Sequence, residues 1–194
     1  MSVDTEEVPR NPANAPKKSH RRGITEWLIV LVVAIVASFL VRTFVFQTFY
    51  IPSSSMKPTL WKGNRIMVDK LSVDFGTINI GDIVVFKAPP AVKSDCQDDV
   101  ADLVKRVIGV PGDRLTSKGN TIYVNGKPLD QKWLHWNPVS PAIGNVVVPK
   151  GHYFMMGDYH SNSCDSRYWG TVPRSDIIGK VFLKFWPLSQ FDWY

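Results

Sequence analysis

The chain is poor in the residues that mark several functional classes. Its 194 residues include only two cysteines and four histidines. Neither type shows the paired-ligand spacing of a zinc site, and no histidine lies in a recognisable catalytic setting. An even cysteine count permits one disulfide outside the cytoplasm, but the spacing of Cys96 and Cys164 does not choose between a bridge and two free thiols. The net charge is +6, yet the basic residues are scattered apart from one cluster, which argues against a nucleic-acid partner. There is no internal repeat, and no long amphipathic helix follows residue 46. Long apolar runs are equally scarce. There is one.

That run begins after a polar, proline-containing stretch of residues 1–22, which has too few apolar side chains to bury a core and reads as a disordered tail. Lys17, Lys18, Arg21 and Arg22 close the tail. Trp27 to Val41 carries no charge, and Ile24 to Phe46 adds only Glu26 and Arg42 near its ends. As a helix those residues reach roughly 34 Å, enough to cross a bilayer if both charged side chains extend to the interfaces. A cleavable export signal fits less well, because the preceding tail is long and Arg42-Thr43-Phe44 stands where small residues belong. A transmembrane helix is therefore expected over 23–46. The basic cluster before it places the tail in the cytoplasm and the rest outside.

The outer region reads as β. Arg65–Val68, Ile83–Phe86, Val104–Val110, Thr121–Val124, Val146–Val148 and Val181–Leu183 are short, β-branched and bounded by turn signals. Asn125-Gly126 is a strong hairpin signal. Residues 114–149 hold that hairpin and the Trp133-Leu134-His135-Trp136 cluster. They form either an inserted smaller β subdomain or a long decorated loop. The expected organisation is thus a tail, a span, a β domain over 47–113 and 150–194, and the 114–149 insert.

Two stretches invite chemistry. Phe49 to Leu60 holds Ser53, Ser54 and Ser55 between Pro52 and Pro58, which should keep it extended and non-helical. A serine nucleophile needs a base. Leu103 to Asp113 reads as a strand running into a Pro-Gly turn, with Leu103, Lys105 and Val107 on one face. A lysine in an apolar row ordinarily extends its head to water. The alternative is a desolvated amine, a base if burial lowers its pKa from about 10.4 toward 7. Arg106 cannot serve, because guanidinium does not deprotonate in proteins.

Ser54-Ser55-Met56-Lys57-Pro58-Thr59-Leu60, Lys105-Arg106 through Gly109-Val110-Pro111-Gly112-Asp113, and Gly157-Asp158 through Ser163-Cys164-Asp165-Ser166-Arg167 occur in that order behind the apolar run. Together they resemble the bacterial type I signal peptidases over roughly residues 24–190. The resemblance implies a mostly β fold: a transmembrane helix and an extracytoplasmic all-β catalytic domain with an inserted smaller β subdomain. It implies Ser55 as nucleophile and Lys105 as general base, without a cofactor. Ser53 would join the Ser55 N–H at the oxyanion, and Ser163 would orient the amine. Asp165 and Arg167 would form a supporting ion pair, while Gly157 and Asp158 shape the turn. Phe49, Ile51, Pro52, Met56, Leu60 and Val104 would line shallow apolar pockets. The implied substrate is the signal peptide of an exported preprotein with small residues before the cleavage site, and the implied setting is the plasma membrane bilayer. Tyr159-His160 and Cys164 depart from the family pattern and inherit no role.

Cys164 follows Ser163, and Cys96 lies nine residues before Lys105. If the lysine strand meets the 157–167 turn, the two thiols approach bridging range. Three other readings stand beside the resemblance. One is a Ser-His-Asp hydrolase using His160 or His152 with Asp158 or Asp165. Another is a metal site from His160, Cys164 and Asp165. The third is an anchored, non-enzymatic β module that binds exported partners.

Overall fold

From Ile24 to Phe44 the apolar run contains neither proline nor glycine, and it forms one helix, α1 (His20–Phe44). The structure, a computed structural model, describes residues 20–96, 99–134 and 142–194, with backbone alone at 20–22 and 42–44. Residues 1–19 of the expected tail, and His135 and Trp136 of the aromatic cluster, lie outside the described residues. The chain divides into two units, residues 1–39 and 40–194. Side chains from Gly23 to Val41 are exposed all round the helix, the pattern of a segment whose solvent is lipid. Among the described residues this is the one helix long and apolar enough to cross a membrane. It stops at Phe44, two residues short of the expected span, because Phe46 opens the first strand.

Twelve strands follow among the described residues: β1 (Phe46–Tyr50), β2 (Arg65–Asp69), β3 (Ile83–Lys87), β4 (Asp102–Gly109), β5 (Arg114–Lys118), β6 (Thr121–Val124), β7 (Lys127–Pro128), β8 (Val146–Val147), β9 (His152–Met156), β10 (Val172–Pro173), β11 (Ile177–Trp186) and β12 (Asp192–Trp193). Short helices interrupt them: α2 (Leu71–Asp74), α3 (Ala91–Asp95) and α4 (Ser166–Trp169). The large sheet runs β1-β2-β11-β3-β4-β9-β10, with β12 added to β11. A second sheet runs β7-β6-β5-β8, and the pairings in both are antiparallel.

The large sheet is covered on both faces. Along β3, Ile83 and Val85 join one apolar cluster with Ile51, Met56, Leu60, Ile66, Val68 and Val181, while Val84 and Phe86 join another with Val107, Met155 and Ile177. A continuous apolar run such as Ile83–Phe86 is what a strand buried on both sides requires. Ile108, Phe154 and Met156 continue from β4 and β9 into a third cluster with Leu115, Ile122 and Val148, which packs the small sheet onto the large one. At the β6–β7 turn Asn125 and Gly126 take φ of 53° and 79°. Those values give the hairpin turn that the Asn-Gly pair favours.

The serine stretch is non-helical but not extended. Lys57 N–H donates to Ser54 O and Leu60 N–H to Met56 O, so the chain between the prolines is a chain of turns. Its ends meet, since Ile51 N–H donates to Asn64 O and Gly63 N–H to Ile51 O. Cys96, just after α3, is bridged to Cys164, just before α4, with Cα atoms 5.9 Å apart. The bridge closes a loop with a sequence separation of 68. In the chain-entropy account this stabilises the fold by roughly 4 kcal/mol. Replacing both cysteines by serine should lower the urea unfolding midpoint of the detergent-solubilised chain accordingly. Thiol labelling of the unfolded, unreduced protein should find no reactive cysteine. Two labelled thiols would contradict the bridge.

Candidate active site

Ser55 sits on the turn-built loop between β1 and β2, fixed from both sides. Met56 and Leu60 are buried in the apolar cluster beneath it, and the Ser55 carbonyl accepts from Tyr159 N–H at 3.0 Å. Its hydroxyl faces a lysine. Lys105 Nζ donates to Ser55 Oγ at 2.7 Å and to Ser163 Oγ at 3.2 Å. Lys105 is 2% exposed, so its head does not extend to water. It pairs in register with Val84 of β3, and its amine reaches both the serine loop and the turn after β9. Ser53, which is exposed, has its Oγ 3.3 Å from Ser55 Oγ.

The turn after β9 holds Ser163 through a buried ion pair. Arg167 donates to Asp165 from Nε and NH2, both at 2.7 Å, and from its backbone N–H. The same guanidinium donates to the carbonyls of His160 and Ser163. Asp165 also accepts from Gly157 N–H. Gly157 acts through the side chain it lacks, because a Cβ there would collide with Ser163 and with the Ser55 carbonyl. Two parts of the site lie so close here that only glycine fits between them.

Asp158 does more than shape a turn. Its carboxylate takes a bidentate bond from Arg106, Nε at 2.8 Å and NH2 at 2.7 Å, and a 2.5 Å bond from Thr59 Oγ1. One carboxylate thereby ties the serine loop, the lysine strand and the 157–167 turn together. Sequence reasoning considered Arg106 only to reject it as a base, and passed over Thr59. Both stand in the quoted motifs, yet their meeting depends on the fold.

A cavity of about 60 Å³ opens beside Ser55. Phe49, Ile51, Pro52, Met56, Leu103 and Val104 are among the residues that line it. Leu60 does not line it. This residue is fully buried in the cluster under the loop.

The histidine and metal alternatives lose their residues. Ser55 Oγ bonds Lys105 and Ser53 and no described histidine, and His152 Nδ1 lies 3.2 Å from the Lys150 carbonyl. Cys164 is consumed by its disulfide, and the Asp165 oxygens are taken by Arg167 and Gly157.

His160 is buried, and its pKa is lowered from 6.5 to about 4. Burial is the main cause, followed by the Arg167 charge, with Asp165 and Asp158 pulling the other way. Between those pH values the unfolded chain binds a proton that the folded chain refuses, so stability is full above about 6.5 and falls as pH drops toward 4. Going from pH 7 to pH 5 should cost about 2 kcal/mol at this residue. Urea melts should show that loss in the native chain and a smaller one in His160→Gln. An equal loss in both would remove His160 from the account.

With this geometry in view, the chain was compared with known proteins. The family model for signal peptidase, peptidase S26, matches residues 24–186. A probable signal peptidase I-2 of Synechocystis is 38% identical over 177 residues, covering 90% of this chain and 80% of that one. A signal peptidase I of Leptolyngbya laminosa is 35% identical, covering 94% and 91%. A signal peptidase IB of Staphylococcus aureus strain COL is 38% identical, covering 88% and 94%. With a family match spanning both Ser55 and Lys105, this chain belongs to the signal peptidase, peptidase S26, family.

Proposed function

We propose that this chain is a membrane-anchored serine endopeptidase that removes N-terminal signal peptides from exported preproteins, using Ser55 as nucleophile and Lys105 as general base. The observation that carries this reading is the 2.7 Å bond between the buried Lys105 amine and the Ser55 hydroxyl. Desolvation disfavours the charged form of a buried amine, and a base must be neutral to act. The Ser55 Oγ proton passes to Lys105 Nζ as Oγ bonds the scissile carbonyl carbon. Lys105 then returns the proton to the departing amine, leaving an acyl-enzyme. A water gives a proton to the same amine and attacks the ester carbonyl carbon, and Lys105 passes that proton to Ser55 Oγ as the acyl–oxygen bond breaks.

Ser163 accepts no proton in this scheme. Its hydroxyl holds Nζ in line with Ser55. Ser53 Oγ and the Ser55 N–H would receive the oxyanion. The small apolar cavity suits a short side chain such as alanine, with Phe49, Ile51, Pro52, Met56 and Val104 meeting the residues before the cleavage site. Asp165–Arg167 and Asp158–Arg106 hold the two halves of the dyad in register. The anchor keeps this machinery at the plasma membrane, where signal peptides are themselves embedded, and so raises their effective concentration.

An Ala-x-Ala reporter tests the chemistry. Ser55→Ala and Lys105→Ala should abolish cleavage in folded protein. Lys105→Arg keeps charge and much of the bulk but cannot be a neutral base, so turnover should fall by at least about 100-fold. Substantial turnover in Lys105→Arg would remove Lys105 as the base.

Topology is an independent check. The basic cluster before α1 puts residues 1–22 in the cytoplasm and the β domain outside. A reporter fused after Phe46 should be extracytoplasmic, and the tail should resist external protease in intact cells. Reversed labelling would place Ser55 on the wrong side for exported chains.

A further inference from the structure

A second cavity, of about 320 Å³, lies among the described residues away from the Ser55 pocket, and Arg106, Trp133, Lys184, Asp192, Trp193 and Tyr194 line it with the Pro58-Thr59 segment. Lys184 reaches it through an irregularity of β11. The pairing of β11 with β2 shifts between Val181 and Leu183 and again between Lys184 and Trp186. As a result the consecutive residues Leu183 and Lys184 are both buried, where strict alternation would send one outward. A bulged strand has turned a lysine inward. Nothing in the proposed chemistry uses it.

The charge of Lys184 is poorly matched. It is 7% exposed, and Nζ donates to the Thr59 carbonyl at 3.2 Å and lies 5.6 Å from the Tyr194 ring centroid. Its carboxylate partner, Asp192, is 3.7 Å away with a side chain 56% exposed. The other interior pairs are tight, with Arg106–Asp158 and Arg167–Asp165 both at 2.7 Å. A buried cation without a close counter-charge is costly, and a distant, solvated carboxylate offsets little of that cost. Arg106 and Trp133 add further donors to the lining. Arg106 spends four of its five N–H bonds on Asp158, Gly81 O and Thr59 Oγ1, and its face packs 4.7 Å from the Trp133 ring centroid. Trp133 carries a buried Nε1–H with no hydrogen-bond partner among the described residues.

We propose that this cavity binds a phosphate-class oxyanion, a phosphate mono- or diester, held chiefly by Lys184. A tetrahedral oxyanion presents acceptors in several directions, whereas those of a carboxylate lie in one plane. It can therefore satisfy donors converging from β11, from β4 and from the segment that carries Trp133. The volume exceeds what an inorganic ion needs, because one water takes about 30 Å³ of liquid. Trp193 and Tyr194 at the edge offer aromatic surface to an attached organic group. Asp192 then serves as the internal stand-in that an incoming anion displaces from Lys184. This site is independent of the Ser55–Lys105 assignment and would survive its failure.

The test uses the full chain in an uncharged detergent and follows tryptophan fluorescence. Two probes are titrated, inorganic phosphate and phosphatidylglycerol in mixed micelles, each against chloride at matched ionic strength. Saturable binding of phosphate identifies a soluble ester or ion as the natural source, and saturation by phosphatidylglycerol alone identifies a lipid headgroup. Lys184→Met, close in volume and uncharged, should weaken binding by about tenfold or more, the loss of a charge-assisted hydrogen bond. Asp192→Asn removes the one carboxylate side chain among the described residues lining the cavity and should tighten binding. The proposal fails if neither probe binds beyond the chloride control. It also fails if folded Lys184→Met binds like the native chain. Should Lys184→Met not fold, Asp192→Asn decides, and an affinity that is unchanged or weaker overturns the site.

Discussion

The burial of the Lys105 amine is the constraint on which the rest depends. A lysine head taken out of water must be met by polar groups fixed in advance, or the strand would twist to release it. Here the groups are two hydroxyls from segments far apart in sequence, Ser55 and Ser163. Neither segment belongs to a sheet ladder at that point, so each needs its own fastening. The Ser163 side is fastened by Asp165–Arg167 and the bridge to Cys96, and the Ser55 side by Thr59–Asp158–Arg106.

Two of those fastenings are ion pairs although the surroundings are apolar. A buried ion pair often gains no more than a well-packed apolar pair of the same volume. What it adds is direction. The bidentate Arg106–Asp158 and Arg167–Asp165 contacts fix two planes relative to each other, and an apolar contact could slide. Arg106 stands next to Lys105 on β4 and Asp158 next to Gly157, so each ion occupies the position beside the residue it must place. Desolvation is concentrated where the Lys105 amine and the Ser55 hydroxyl meet.

Much of this was legible in the sequence because it is local. Ile83–Phe86 is apolar enough to be read as a strand, Asn125-Gly126 dictates its turn, and the three blocks around Ser55, Lys105 and Ser163 carry their chemistry in adjacent residues. What stayed hidden has physical reasons. β1 follows the apolar run without a break, so nothing in the sequence separates Phe46 from the end of the span. β9, His-Tyr-Phe-Met-Met, holds its place by burial and has no β-branched residue to signal it. β5 is mostly polar because one of its faces meets solvent. Leu60 reads like a pocket residue but turned downward, since in a chain of turns the side-chain direction does not follow strand alternation. The inward turn of Lys184 carries no local signal, because it depends on a double register shift between β11 and β2.

The Ser55 loop shows how irregular backbone can be fixed in place without a strand ladder. Residues 51–64 make few ladder bonds, yet the loop is closed at its base by the mutual bonds of Ile51 with Gly63 and Asn64. Asn64 closes it further, since its side chain accepts from Trp61 N–H and its amide donates to Gln190. Leu60 and Met56 anchor the floor in the apolar cluster, and Thr59 and the Ser55 carbonyl are bonded to the turn after β9. Every four residues or so the loop meets something immovable. A loop of this length free of such contacts would sample many arrangements and seldom hold Ser55 Oγ on the amine.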